Sequence, residues 1–310
     1  MTDYIFQENT LTEKLAFSYE PWLFNEPAYL AIQSQEWNTF SLYNEKHKTV
    51  KAQLHVNIQQ EIAVSPLRAP FGSVQFSPSL KPKMLFDFLE FVCQRLKEKG
   101  ITQLILKNPP DAYESSSSSL LNSFLFNLRF DVETAEVGAV LSTGKPFVEN
   151  LNAWEMRKLR QAEKEGLSFG KLDPNQLEFI FQFILACRKE RDYSLSIDWN
   201  TIVTTVKIFP DRFILFSVTH HGNLVAASIC INVGNNILYN FHSAHPREHD
   251  HLSPVVLLLK GIHQFCVDNN YRLLDLGTSA LDGLPNFGLL DFKLGLGAQP
   301  TMKLTFKKEL

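Results

Sequence analysis

Hydrophobic residues in the second half of the chain fall first at strand spacing and then at helical spacing. "RFILFSVTH", "LVAASICINV" and "ILYNFHSAH" are rich in β-branched and aromatic residues, and His221-Gly222-Asn223 and Gly234-Asn235-Asn236 separate them. Such turn chemistry between short apolar runs predicts a three-stranded antiparallel meander. Ser253-Pro254 then offers an N-cap with proline at the first helical position. Val255, Leu258, Leu259, Ile262, Phe265 and Cys266 recur at helical spacing and predict a helix to about Asn270. "YRLLDLGTS" reads as a short buried parallel strand, "GLLDFKLGLGA" as a brief helix ended by glycines, and "PTMKLTFKK" as a last strand.

The first half repeats this order. "TVKAQLHVNIQQEIAVSPL" predicts a strand pair, and Leu85, Phe88, Leu89, Val92 and Leu96 form one face of a helix that stops at Gly100. "ITQLILKNPP" matches "YRLLDLGTS" in position, followed by a helix near "SLLNSFLFNL" and strands near "RFDVETAEVGAVLST". "ESSSSSLL" is expected to cap that helix. The fold class is therefore α/β (α+β), a duplicated unit of mixed, mainly antiparallel sheet flanked by helices. The boundary is set near Gly144, giving units 1–143 and 144–310.

Composition narrows the class. With 310 residues, 45% hydrophobic, and 25 Phe, the chain can bury large cores. A formal net charge of −3 opposes a chain-wide nucleic-acid footprint, so no DNA partner is expected. No apolar run reaches membrane-spanning length, and "MTDYIFQENTLTEK" has neither basic flank nor signal-peptide core, which predicts a cytoplasmic protein without a membrane span. Cys93, Cys187, Cys230 and Cys266 lie far apart with no C-x-x-C spacing and are expected as reduced thiols.

Four histidines, His242, His245, His249 and His251, crowd into "FHSAHPREHDHLSP". His245 and His249 have helical i,i+4 spacing, but Pro246 interrupts a helix through both, so no metal site is expected.

Three stretches carry a resemblance. "RKLRQAEKEGLSF" (157–169), "LSPVVLLLKGIHQFCVDNNYRLLDLG" (252–277) and "GLLDFKLGLGA" (288–298) resemble the FemAB-like branch of the Gcn5-related N-acyltransferase (GNAT) superfamily, with "SPLRAPFGSVQF" as a fainter match in the first half. The resemblance implies two tandem acyltransferase units, the second carrying the chemistry: transfer of an acyl or aminoacyl group from a thioester or ester donor to an amine. No permanently bound cofactor is implied. Where many acetyl-CoA-using members carry glycines before the central helix, this chain has "PREHDHLSP" and none. The donor stays open between acyl-CoA and aminoacyl-tRNA, with tRNA then a partner. The competing class is a non-catalytic protein that keeps the fold and binds a metabolite or partner. The acceptor, a small-molecule or peptide amine, is not specified.

Candidate residues follow. Asp275 inside an apolar strand, Tyr239 and His242 are the candidates for proton transfer. The start of the central helix, Ser253, Val255 and Val256, has unpaired N–H groups and a positive dipole end; with His249, His251 and Lys293 it forms the expected donor-binding group. Arg157 and Arg160 share a face with Lys164 on the joining helix, and Arg188, Arg191 and Tyr193 lie where the family places acceptor-recognising residues. Asp173, Pro174 and Gln176 predict a capping box before that second helix.

Overall fold

The computed structural model describes residues 4–9, 16–193, 197–281 and 283–310. They form two compact units, residues 1–136 with 302–310, and residues 137–301.

The first unit contains β1 (Tyr4–Glu8), β2 (Ala16–Phe17), α1 (Pro27–Gln33), β3 (Asn38–Asn44), β4 (Thr49–Gln59), β5 (Ile62–Ser65), β6 (Gln75–Phe76), α2 (Pro82–Glu98), β7 (Gln103–Lys107), α3 (Ser115–Asn127) and the start of β8 (Asp131–Ser142). β1, β3, β4 and β5 pair antiparallel in that order, and β5 pairs parallel to β7. The expected α2 face of Leu85, Phe88, Leu89, Val92 and Leu96 is buried on this sheet with Phe40, Leu54 and Leu104. Parallel pairing requires a crossover, and α2 supplies it. The serine run does not cap α3: Glu114 holds the cap position and its side chain makes no capping bond, while Ser119 and Ser123 donate to the carbonyls four residues earlier.

The second unit continues with α4 (Phe147–Asn150), α5 (Ala153–Lys164), β9 (Ser168–Leu172), α6 (Leu177–Lys189), α7 (Trp199–Ile208), β10 (Phe213–His220), β11 (Asn223–Gly234), β12 (Ile237–Ala244), α8 (Pro254–Asp268), β13 (Leu273–Thr278), β14 (Ala280–Leu281), β15 (Leu284–Pro285) and α9 (Phe287–Gly295). β9 to β12 pair antiparallel, β12 and β13 pair parallel, and β13 pairs antiparallel with β8. The meander turns are His221-Gly222 and Asn235-Asn236, all four at positive φ, as two-residue hairpin loops require. α8 buries Val256, Leu258, Leu259, Ile262 and Cys266 against the sheet. Its Gly261 is fixed by packing, since a Cβ there would lie 2.3 Å from the Phe169 ring.

Both units thus run antiparallel strands, crossover helix, parallel strand. The antiparallel neighbour of that last strand comes in each case from the other half of the sequence. In the first unit Thr305–Glu309 of β16 (Gln299–Glu309) pairs with β7; in the second, Gly138–Ser142 of β8 pairs with β13. Strand patterning predicts β8 and β16 as strands but carries no information about their partners, so the sequence boundary at Gly144 and the boundary in space differ.

Two local expectations are corrected. Asp173 accepts from the Asn175 N–H, and Pro174–Gln176 form a 3-10 turn leading into α6, with no reciprocal Gln176 bond. Ser253 stands before α8 in the left-handed conformation (φ 52°, ψ 44°), and its hydroxyl does not cap the helix. All four cysteines are free.

α9 ends in glycines because α4 lies against it. Gly297 has φ +80°, and a Cβ there would meet the Asn150 carbonyl oxygen at 2.5 Å. Gly297→Ala is expected to lose about 1–3 kcal/mol from backbone strain alone, with the backbone clash added. Thermal unfolding reads this out, and a melting temperature equal to wild type would show that α4 yields without cost.

Candidate active site

β12 and β13 pair only from Ile237–Tyr239 to Leu273–Asp275, yet β12 continues to Ala244 and β13 to Thr278. Beyond Tyr239 and Asp275 the parallel pairing stops, and a cleft of about 900 Å³ opens, lined by both strand ends, α6, the start of α8 and α9. Crevices outside the carboxyl ends of parallel strands are where open α/β sheets bind ligands. Two bulges accompany the parting. On β12 the register with β11 skips Phe241, so that Phe241 and His242 both line the cleft. On β13 an extra residue opposes β8 between Asp275 and Thr278, with Gly277 at φ +74°. Bulges re-aim side chains beside active sites in this way.

His242 is 5% exposed, and neither ring nitrogen has a hydrogen-bond partner among the described residues. Burial, then the charge of Arg188, lowers its pKa to about 3, so the ring is neutral at pH 7. Tyr239 lines the same wall. Asp275 is buried and accepts the Gly277 N–H at 2.7 Å, which ties down the bulge; it is not among the residues lining the cleft. Lys293, on the inner face of α9, donates to the carbonyls of Gly277 (2.8 Å) and Thr278 (2.9 Å) and borders the cleft. Burial lowers its pKa to about 8, partly opposed by Asp275.

The cationic side chains sort by partner. Arg191 donates to Asp250 (2.9 Å), which also meets His245 at 2.7 Å. Arg188 lines the cleft with no acid acting on it among the described residues, and burial lowers its pKa. Tyr193 lines the rim. Arg157 and Arg160 are exposed and outside the cleft; Arg157 stacks 3.9 Å from the Trp154 ring. The residue of α5 that reaches the cleft is Lys158, held by the buried Glu155 at 2.8 Å. Sequence reasoning passed over it because the face 157, 160, 164 looks more basic.

The remaining two histidines of the cluster both meet Glu248, one its carboxylate and one its carbonyl. His249 lies 3.5 Å from Glu248, and His251 Nδ1 is 2.9 Å from the Glu248 carbonyl oxygen; neither lines the cleft. No group of three or more metal-ligating side chains converges among the described residues. Ser253, Val255 and Val256 do line the cleft. The Val256 N–H, expected to be open, donates to the Ser253 carbonyl at 3.2 Å, whereas the Val255 N–H has no acceptor among the described residues.

The segment that holds most of this cleft matches a known domain model. Residues 154–293 match the acetyltransferase (GNAT) domain model. The chain is similar to the crystal structure of FemX, at 12% identity over 94% of each chain with a TM-score of 0.70. It is similar as well to L-PGS from Bacillus licheniformis, at 12% identity over 85% of this chain and 82% of that one (TM-score 0.55). A third similar structure is the C-terminal domain of a protein described as a lysylphosphatidylglycerol synthetase from Agrobacterium fabrum, at 11% identity over 88% and 84% (TM-score 0.56). No curated protein sequence matches significantly. The fold is that of the GNAT domain over residues 154–293 and resembles FemX over the chain as a whole. No helix among the described residues is long and apolar enough to cross a membrane.

Proposed function

We propose that the second unit transfers an acyl or aminoacyl group from a thioester or ester donor to an amine acceptor. The observation that carries this reading is the parted strand pair itself: within a segment matching the GNAT domain, it forms a cleft holding a buried ammonium and a buried neutral imidazole. The amine nitrogen attacks the donor carbonyl carbon, the C–N bond forms, the C–S or C–O bond breaks, and the proton lost by nitrogen ends on the departing thiol or hydroxyl. No covalent enzyme intermediate is needed, which suits a cleft whose one lining thiol, Cys187, is pushed up to about 11 by burial.

Lys293 supplies the positive charge. Two of its three protons are committed to Gly277 and Thr278, and the third is available to the oxygen on which charge develops. Asp275 acts from behind, keeping Gly277 in place and favouring the charged lysine. The donor end is assigned to the start of α8, where the Val255 N–H and the helix dipole attract an anion. His249 and His251 stand outside the cleft, so any help they give to a donor phosphate comes from its rim. Asp275 is assigned a positioning role and Tyr239 remains a wall residue able to pass a proton. A location in the cytoplasm is consistent with both donor classes.

The test is a donor panel. Purified protein incubated with radiolabelled acetyl-CoA or with aminoacyl-tRNA, and a mixture of amines, is expected to give amide product with one donor class. A thermal shift with a donor but no product under any acceptor would favour the non-catalytic binding reading.

A further inference from the structure

Four cationic side chains border the cleft, and they are not equally satisfied. Lys158 is held by Glu155, Arg191 by Asp250, and Lys293 by two carbonyls with Asp275 nearby. Among the described residues no carboxylate acts on Arg188, and it lies beside His242, whose two ring nitrogens are buried without partners among those same residues. Partly burying a guanidinium without an acid beside it and burying an unsatisfied imidazole both cost stability. A packing role needs neither, because Leu or Phe would fill the same wall at no polar cost. The pair is what one anionic group would satisfy: two guanidinium N–H donors for a carboxylate and one imidazole N–H beside them.

We propose that Arg188 and His242 receive the carboxylate of an acceptor whose amine lies about 7 Å from it, as in a dipeptide or a basic amino acid with a side-chain amine, and that this carboxylate enables His242 to act as the base. The proposal rests on the acyl-transfer reading. A neutral imidazole donates through one nitrogen and accepts through the other. With its N–H on the carboxylate, the second nitrogen faces the amine and takes its proton as the C–N bond forms. The proton then passes to the departing thiol or hydroxyl, so the ring ends neutral. Without the carboxylate, the positive charge formed on the ring would stand against Arg188 with nothing between them. An amine that lacks the carboxylate can therefore occupy the cleft without being deprotonated there, and specificity enters at kcat as well as at KM.

The other titratable groups around His242 do not replace this partner. Asp250 is already shared by Arg191 and His245. Tyr239 on the same strand and Tyr193 after α6 both act on Arg188, but a neutral phenol does not cancel its charge.

The experiment uses the whole protein and no acyl donor, so it stands apart from the activity assay. The His242 ring nitrogens are followed by 15N NMR, assigned with His242→Gln, while propionate, L-alanine or L-alaninamide is added. Propionate and L-alanine are expected to move the His242 signals and raise its titration midpoint by about one unit or more, the size of effect when a neighbouring charge is neutralised. L-alaninamide, equal in size but without a carboxylate, should leave the midpoint unchanged. Arg188→Gln should abolish the response to propionate and Arg188→Lys should retain part of it. Equal responses to L-alanine and L-alaninamide, a propionate response that survives in Arg188→Gln, or no response to any probe across its soluble range would overturn the proposal. Should the carboxylate response appear while every donor fails to give amide, the subsite stands and the acyl-transfer reading falls.

Discussion

Replacing Lys293 with methionine is expected to lower the rate constant for acyl transfer by about 10²- to 10³-fold, the usual loss when one preorganised donor to a developing oxyanion is removed. Methionine matches the length of the lysine stem but leaves the Gly277 and Thr278 carbonyls without their ammonium donor, so the fold must be checked by the melting temperature. The pH profile separates a chemical role from a structural one. The ammonium is lost as pH rises through about 8, well below the ordinary lysine range, because burial disfavours the charged form. The wild-type kcat profile should therefore fall through about pH 8. Lys293→Arg keeps a charge that does not titrate there, so any residual activity should hold level across the same interval. A Lys293→Met enzyme within a few-fold of wild type would remove Lys293 from the chemistry.

Acid is expected to unfold this protein steeply through its histidines. His242 is lowered from 6.5 to about 3 and His55, in the first unit, to about 4, in each case chiefly by burial. Both are neutral when folded and gain a proton on unfolding anywhere between those values and 6.5. Their contribution is complete above 6.5 and drains away as pH falls, at about 1.4 kcal/mol per pH unit for each group. For His242 the full interval is worth on the order of 5 kcal/mol, comparable to the entire stability of many domains. Urea unfolding from pH 7 down to 3.5 should give a shallower slope for His242→Gln than for wild type. Parallel slopes would mean the ring is already protonated in the folded protein.

Much of the architecture was legible because the signals were local. Asn235-Asn236 and His221-Gly222 announce hairpins through their need for positive φ, and the α2 and α8 faces show in their spacing. Ser253 misled because a serine before a proline has the composition of a cap, whereas the left-handed turn that places it at the cleft depends on the whole 247–252 segment. Asp275 drew attention as a polar residue in an apolar strand, but its hydrogen bond from the Gly277 N–H depends on a bulge that the strand pattern does not announce. The place of Lys158 in the cleft, and the lack of a carboxylate on Arg188 among the described residues, could not be read at all. Which cation keeps a carboxylate is decided by contacts such as Glu155 with Lys158 and Asp250 with Arg191, the second spanning 59 residues of sequence. The cleft belongs to the same class, since no pattern in β12 or β13 says that their pairing ends at Tyr239.

The reciprocal origin of the strands beside β7 and β13 bears on how the protein can be made and cut. Expressed alone, residues 1–143 lack Thr305–Glu309 and leave β7 with an open edge, while residues 144–310 lack Gly138–Ser142 and leave β13 open. Uncovered edges recruit other chains, so each fragment should be prone to self-association.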